Sequence, residues 1–162
     1  MSEETPKPGP PGPGYHALRK GRNSAEGHSY ALSTRAAAVD LRAVAQLLIA
    51  EARLLEAEGL VLLHLVVAMP DHCHLLLTLL GGNSLESVMR RWKGRCARQG
   101  NSALQRSGPF WQPGFYDRRM RDLEETAAHQ AYILRNPVRR GLVTHWQDYP
   151  HIYLEGAALW QR

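Results

Sequence analysis

The chain is short of cysteine and of long apolar runs. Only two of its 162 residues are cysteines. Cys73 and Cys96 have neither metal-binding nor disulfide spacing, so the sequence predicts reduced thiols in an intracellular compartment. No apolar run approaches the roughly 20 residues that a bilayer-spanning helix needs. The N-terminus is rich in proline and glycine and lacks the order of charged and apolar regions of a signal peptide. These deficits argue against a disulfide-rich secreted protein and against a membrane protein.

Acidic residues are scarce in one long stretch of an otherwise basic chain. The formal net charge is +5, and residues 90–121 contain one acid, Asp117, against nine basic residues. An imbalance of this size exceeds that of an ordinary solvated face with counter-charges. It predicts a polyanionic partner whose phosphate backbone is contacted by arginine and lysine. The residues expected to contact this polyanion are Arg90, Arg91, Lys93, Arg95, Arg98, Arg118, Arg119 and Arg121.

The pattern of elements predicts one α+β domain. Residues 1–27 contain many prolines and glycines and little to bury, which predicts a disordered or loosely attached arm before a domain at 28–162. Strand patterns cover 28–34, 60–68, 72–80 and part of 110–121, and helical periodicity covers 36–58, 85–98 and the segment after Asp122. The order β-α-β-β-α-β-α predicts a ferredoxin-like sandwich, a four-stranded antiparallel sheet with helices on one face. The tail beyond Gly141 has no period and is expected to pack irregularly.

Two histidines, His72 and His74, lie within a run of strand formers. Residues two apart in a strand point to the same face, so the two imidazoles should be neighbours on one face of the sheet. Neutral imidazole is the commonest metal ligand in proteins, and the pair therefore predicts a site for a divalent metal ion. The alternative is that two histidines fell on a polar strand face by chance.

A second pattern lies about sixty residues downstream. Asp122 followed by Glu125 predicts an N-cap and a capping box that begin a helix, and Pro137 should end it. Tyr132 and Asn136 are four residues apart and would share one helical face. A hydroxyl nucleophile and a carbonyl ligand would then lie side by side. Taken alone, a tyrosine near a helix end is more often part of the core or its rim.

Together these motifs resemble the single-tyrosine HUH (histidine–hydrophobic–histidine) transposases, and more narrowly the REP-associated tyrosine transposases of bacteria. The resemblance runs in order from about Tyr30 to about Tyr153. Asp71 stands where Asn or Glu is commoner in the family, and the N-terminal arm has no family counterpart. The motifs that carry the resemblance are His-Cys-His at 72–74, Phe-Trp-Gln-Pro-Gly-Phe-Tyr-Asp-Arg at 110–118 and Tyr-Ile-Leu-Arg-Asn-Pro-Val-Arg-Arg-Gly-Leu-Val at 132–143.

The resemblance implies a metal-dependent endonuclease and strand transferase that acts on single-stranded DNA at hairpin (REP-type) sequences. It implies that His72 and His74 are paired ligands for Mg²⁺ or Mn²⁺ and that Asn136 occupies the place of a third ligand. Tyr132 would be the nucleophile and would form a 5′-phosphotyrosine, leaving a free 3′-hydroxyl. The expected partner is single-stranded DNA with hairpins, with no role for a membrane. The expected location is the bacterial cytoplasm, with the nucleoid, and the enzyme would work as a monomer or a homodimer.

Two other functions remain open. Ferredoxin-like sheets also carry RNA recognition, with exposed aromatic residues on the central strands. Here the central strand has His-Cys-His and no strand is rich in aromatic residues, which counts against a non-catalytic single-stranded nucleic-acid binding module. A domesticated regulatory transposase would keep the fold and the basic surface. The intact set of His72, His74, Tyr132 and Asn136 argues against such decay.

Several single residues are further candidates. His64 is a candidate for the face of the histidine pair, and His129 for the acceptor of the tyrosine's proton. Tyr116 is the rival nucleophile. Asp117 is expected to orient a ligand histidine or to play a structural role. Trp92 is expected in the core, whereas Trp111 is open between core packing and stacking on a base.

Overall fold

The computed structural model describes residues 24–156. Within this range, no helix is long and apolar enough to cross a membrane. The predicted arm at 1–27 lies outside the described residues except for its last four, which pack on the body of the protein. Ser24 accepts a hydrogen bond from the backbone of Leu85 (3.0 Å), and Gly27 donates one to the backbone of Leu79 (2.8 Å).

A sheet of five strands forms the centre of the protein. Its spatial order is β4-β1-β3-β2-β5, and every neighbouring pair is antiparallel. Valine- and leucine-rich β2 and β3 are the long central strands, joined by a short turn in which Met69 donates to the carbonyl of His72 (2.8 Å). The strands are β1 (Ser29–Arg35), β2 (Val61–Ala68), β3 (His72–Leu79), β4 (Tyr116–Arg119) and β5 (Ile152–Leu154).

Helices lie on both faces of this sheet. On one face, called the helix face, Leu32, Val66 and Leu75 pack with residues of α1 and α2 such as Leu48 and Trp92. The other, called the site face, packs Ala31, Leu65 and Leu76 against Ile133 and Leu134 of α3. The helices are α1 (Ala45–Ala57), α2 (Leu85–Ala103), α3 (Leu123–Leu134) and the short α4 (Asn136–Arg139).

The predicted sheet was therefore wrong in two details. The structure confirms an α+β chain with an antiparallel sheet, but the sheet has five strands and not four, and helices cover both faces and not one. The extra strand is β5, whose Tyr153 pairs with Val66 of β2. The sequence did not predict β5, because a three-residue edge strand is too short to show an alternating pattern. On the site face, the tail is fixed by Tyr149, whose hydroxyl donates to the carbonyl of Ala68 (2.7 Å).

Two helix boundaries also differ from the sequence pattern. The first helix begins at Ala45, after a 3₁₀ turn at Leu41–Val44 that Asp40 caps. Residues 36–39 are not helical, because Ala36 donates its N–H to the carbonyl of Asp71 (2.9 Å). Helix α2 continues past the predicted end at 98 as far as Ala103.

Gly100, in the extension of α2, is buried against Phe110. A Cβ atom at Gly100 would lie 2.8 Å from Cζ of Phe110 and closer still to Cε2. We expect Gly100→Ala to lower the free energy of unfolding by about 1–3 kcal/mol, because Phe110 has no room to move in the core. Urea unfolding measures this change. The matched control is Gly94→Ala in the same helix, where a Cβ meets nothing within 4 Å and should stabilise the protein by about 0.5–1 kcal/mol. Equal effects at both glycines would contradict the packing argument.

Candidate metal and nucleophile site

The His72 and His74 side chains lie together on the site face of β3. They alternate with Cys73 and Leu75, which point into the core of the helix face. The imidazole Nε2 atoms of the two histidines are 3.0 Å apart, with the rings nearly perpendicular at 85°. Strand geometry predicted this pairing, and the structure places both rings side by side as expected.

The contacts of the two rings decide where their protons lie. His72 Nδ1 is 2.7 Å from Oδ1 of Asp71; a carboxylate only accepts, so this nitrogen carries the hydrogen. The Nε2 atom of neutral His72 then holds a lone pair. His74 Nε2 is 2.7 Å from Nδ2 of Asn136, an amide nitrogen that only donates, so it holds a lone pair as well.

Two nitrogen lone pairs thus converge at a separation of 3.0 Å. Only a proton or a cation between them makes such an approach favourable. Two ligands at right angles on an ion about 2.1 Å from each would also be about 3.0 Å apart. Among the described residues, no group of three or more His, Cys, Asp and Glu side chains is arranged to hold a metal ion by itself. The donor set at this point therefore fits a divalent ion held by two imidazoles, with Asn136 as the nearest further side chain.

Burial keeps both imidazoles neutral. It lowers the pKa of His74 well below its ordinary value, and the charge of His72 acts in the same direction. Burial also lowers the pKa of His72, although the hydrogen bond to Asp71 opposes it. Metal ions bind only the neutral form of imidazole, so the lowered pKa values leave both rings in the form that a metal site would require.

The lowered pKa of His74 predicts a pH dependence of stability. Unfolded histidine takes up a proton near pH 6.5, whereas folded His74 does so only at lower pH. The unfolded state therefore binds more protons below about pH 6.5. As the pH is lowered through this range, the free energy of unfolding should decrease by up to about 1.4 kcal/mol per pH unit for this group. Urea titrations at several pH values measure the slope. His74→Gln should reduce it, and the exposed His145→Gln serves as control. An unchanged slope in the His74 variant would contradict the assignment.

Asn136 contacts His74 of the histidine pair, and Tyr132 lies near the C-terminal end of α3, just before it in the chain. The structure confirms that Asp122 caps this helix, accepting from the backbone of Glu125 (2.7 Å). Asn136, however, is the first residue of a separate short helix, α4, with Pro137 in its first turn. Proline disfavours helical continuation before it but suits the first turn of a new helix. The two side chains remain neighbours, because the guanidinium of Arg139 lies 3.9 Å over the ring of Tyr132 and donates to Oδ1 of Asn136.

Comparison with known proteins identifies the family of the chain. Residues 40–136, more than half of the chain, match the family described as "Transposase IS200 like". The chain belongs to the IS200-like transposase family. Its matched region includes the histidine pair, Tyr132 and Asn136.

Individual transposases of this family show how far the similarity extends. The chain is 31% identical over 96 residues to a REP-associated tyrosine transposase assigned in Haemophilus influenzae, covering 53% of this chain and 54% of the relative. It is 31% identical over 84 residues to the REP-associated tyrosine transposase of Escherichia coli, covering 52% and 48%. The chain thus spans about half the length of the curated relatives it matches. A solved REP-associated tyrosine transposase bound to a REP hairpin has the same fold, with a TM-score of 0.70 at 22% identity over 81% of this chain and 79% of that one.

Tyr116, the rival nucleophile of this IS200-like chain, lies on the same face as the histidine pair. It pairs with Ser33 of β1, which in turn pairs with His74 of β3. Tyr116 is 50% exposed and Tyr132 is 39% exposed, so both phenols are accessible. Tyr116 is two strands away from His74, whereas Tyr132 is joined to His74 through Arg139 and Asn136. Tyr132 is therefore linked to the histidine pair through a series of side-chain contacts. The exposed fractions of the two tyrosines are similar and do not indicate which of them is the nucleophile.

Other candidates fall outside the cluster. His64 lies on the site face but bonds to Glu155 and Thr78 (both 2.7 Å), near the opposite end of β3 from His72. Asp117 is paired with Leu32 in the sheet and so lies on the helix face, where it cannot orient a ligand histidine. Trp92 is fully buried as expected. Trp111 is also buried, with its Nε1 donating to the carbonyl of Lys93 (3.1 Å), which leaves no face for a base.

The basic residues at 90–121 do not form one surface. The ammonium of Lys93 donates to the carbonyls of Gln112 and Gly114 (3.1 and 2.6 Å). On α2, Arg91 and Arg95 bond to Glu58 (3.1 and 2.6 Å). Exposed Arg90 and Arg98 lie on the same helix, which packs on the helix face. The remaining three are divided as follows: Arg118 on the site face, Arg119 paired with Tyr30 of the helix face, and Arg121 beyond the end of β4.

Asp71 and Arg139 are two further candidate functional residues that the sequence pattern did not predict. Asp71 orients His72 and is held in turn by Arg140 (3.1 Å), and Arg139 links Tyr132 with Asn136. The signal for Asp71 was its place directly before the histidine pair, since a carboxylate beside a ligand histidine commonly fixes the ring. The arginines lay inside the motif at 132–143, but sequence does not show which way their side chains point.

Proposed function

We propose that this chain is a metal-dependent endonuclease and strand transferase that cuts single-stranded DNA at hairpins and forms a 5′-phosphotyrosine at Tyr132. The observation that carries the proposal is a connected set of four groups, the side chains of Tyr132, Asn136, His74 and His72, in which Arg139 joins the first two. Tyr132 contacts Arg139, Arg139 bonds to Asn136, and Asn136 bonds to His74 beside His72. A nucleophile, an amide oxygen and two imidazoles in one place are the groups that phosphodiester transfer needs. Membership of a transposase family supports the same reaction.

The metal site of this proposal uses His72, His74 and Asn136 to hold Mg²⁺ or Mn²⁺. Bound there, the ion would neutralise charge on the phosphate and the leaving oxygen. Asp71 keeps the His72 ring turned so that Nε2 faces the site. Burial keeps His74 neutral. Both effects make the two nitrogens available before any ion arrives, which reduces the cost of organising the site.

In the proposed reaction, the phenolic oxygen of Tyr132 attacks the phosphorus. The bond from phosphorus to the Tyr132 oxygen forms as the bond from phosphorus to the 3′-oxygen breaks. The phenol gives up one proton and the departing 3′-oxygen gains one, so the step consumes none overall. His129, whose ring centroid is 5.8 Å from that of Tyr132, is the candidate to take up the phenolic proton. A phosphate diester is retained, so the strand can be rejoined without another energy source.

The direct test is covalent attachment. The full chain is incubated with Mn²⁺ and a panel of single strands that carry hairpins, and protein–DNA adducts are scored on denaturing gels. Adducts that form only with hairpin-bearing strands and metal would support the proposal. Binding of the strands with no adduct under any of these conditions would contradict it and favour a non-catalytic binding protein.

We propose that the DNA lies on the site face. Arg118 shares the site face with the histidine pair, where it is paired with Glu125 (2.7 Å) but half exposed, whereas Arg98 is on α2, behind the sheet. We expect Arg118→Ala to weaken hairpin binding and to reduce the slope of log affinity against log salt by about 0.7, the value for one phosphate contact on a single strand. The matched variant Arg98→Ala should leave the slope nearly unchanged. Fluorescence anisotropy at several salt concentrations measures both. A larger loss in the Arg98 variant would place the DNA on the helix face.

We also infer that β1, α1, β2, β3, α2 and β4 form a ferredoxin-like core. Their order along the chain is the β-α-β-β-α-β of that fold, with β5 added at the edge beside β2. The proposed location is the bacterial cytoplasm with the nucleoid, where a hairpin-cutting transposase would meet its DNA.

A further inference from the structure

The guanidinium of Arg139 contacts both the proposed nucleophile and the proposed third ligand. It lies 3.9 Å over the Tyr132 ring and donates to Oδ1 of Asn136. A planar guanidinium can stack on an aromatic ring and donate from its edge at the same time, which an ammonium cannot do. Arg139 sits at the last residue of α4 and Asn136 at its first, so the helical turn itself keeps the two side chains adjacent.

This contact fixes the orientation of the Asn136 amide. Guanidinium has donors only, so the atom of Asn136 that faces Arg139 must be the amide oxygen. The amide nitrogen then faces His74, which it meets at 2.7 Å. Turning the amide over would set its N–H groups against the donors of Arg139 and lose that hydrogen bond. In this arrangement the Asn136 oxygen is directed away from the histidine pair.

A divalent ion at the pair needs the opposite orientation. Hard cations bind the oxygen of an amide and not its nitrogen, so Asn136 becomes a ligand only when its amide turns towards His72 and His74. That turn breaks the bond from Arg139. We propose that Arg139 is a positioning residue that competes with the metal ion for the Asn136 oxygen, and that its stacking on Tyr132 keeps it in place to do so. The inference rests on the metal site of the proposed function.

The test is a double-mutant cycle on metal affinity, which does not require activity. Mn²⁺ binding is measured by electron paramagnetic resonance on the full chain without DNA. Arg139→Ala should tighten binding about fivefold, since one hydrogen bond to the competing oxygen is removed. Arg139→Gln keeps a donor without the charge and should bind close to wild type. In an Asn136→Ala background, Arg139→Ala should change nothing, because the oxygen under competition is gone.

Charge repulsion alone gives a different pattern. It would tighten binding in Arg139→Gln as much as in Arg139→Ala, and equally in the Asn136→Ala background. The exposed Arg135→Ala, one helical turn away, controls for removal of a nearby charge and should leave affinity unchanged. Either the charge pattern or unaltered affinity in Arg139→Ala would overturn the inference. If wild-type protein binds no Mn²⁺ that His74→Ala removes, the metal site itself fails and the inference fails with it. Circular dichroism of each variant confirms that it is folded.

Discussion

Replacing Tyr132 by phenylalanine is expected to abolish covalent attachment to DNA while hairpin binding is retained. The change removes one oxygen from a side chain that is 39% exposed and leaves the ring that Arg139 covers. Folding and the basic surface should therefore be unaffected. Loss of the nucleophile should reduce adduct formation by at least about a thousandfold, as for other enzymes that lose their nucleophile. Denaturing gels measure the adduct, and a band shift on the same hairpin measures binding.

The matched control is Tyr116→Phe. Tyr116 is an exposed tyrosine in the same row of the site face, so the pair of variants separates the nucleophile from a phenol that is merely nearby. Mass spectrometry of the wild-type adduct should place the nucleotide on the peptide that contains Tyr132. Cleavage that persists in Tyr132→Phe and disappears in Tyr116→Phe would reverse the assignment.

Metal binding is expected to depend on both His72 and His74. Each ring supplies one of the two nitrogens that converge at 3.0 Å, and removing either leaves one imidazole and an amide for an ion that prefers several fixed ligands. His72→Ala and His74→Ala should each weaken Mn²⁺ binding by more than about 100-fold. Asp71→Ala should weaken it about tenfold, the usual loss when the group that orients a ligand histidine is removed. Calorimetric titration measures all three.

The control for this set is His64→Ala. His64 lies on the same face of the sheet and bonds to Thr78 and Glu155, so its removal takes away an imidazole without touching the histidine pair. Wild-type affinity in this variant, with loss in the other two, would locate the ion. Retained affinity in both His72→Ala and His74→Ala would exclude the proposed site.

Local patterns determined much of the site before any tertiary contact was known. The spacing of His72 and His74 within strand formers fixes both rings on one face, because alternation is a property of every strand. Asp122 and Glu125 set the start of α3 for an equally local reason, since the cap is made within one turn. The buried Trp92 followed from the apolar stripe of α2. Each of these depends on residues a few positions apart.

Long-range contacts explain where the sequence reasoning failed. β5 forms because it pairs with β2, which lies about ninety residues earlier in the chain. A three-residue strand at the edge of a sheet has no local sequence pattern that would predict it. The same holds for the basic residues at 90–121. The distribution of charge along the sequence predicted one DNA-binding surface. In the structure, Arg91 and Arg95 form ion pairs with Glu58 of the α1–β2 connection, and the sheet separates α2 from Arg118.

The sequence by itself therefore determined the chemistry of the candidate site: which imidazoles pair, which helix ends beside an amide, and which tyrosine belongs to the motif. Tertiary structure alone decided how those groups meet. It placed Asn136 beside His74 and brought Arg140 to Asp71, the neighbour of His72. The physical reason is range. Strand alternation and helix capping act over two to four residues, whereas side-chain orientation across β3, α3 and α4 depends on packing between segments about sixty residues apart.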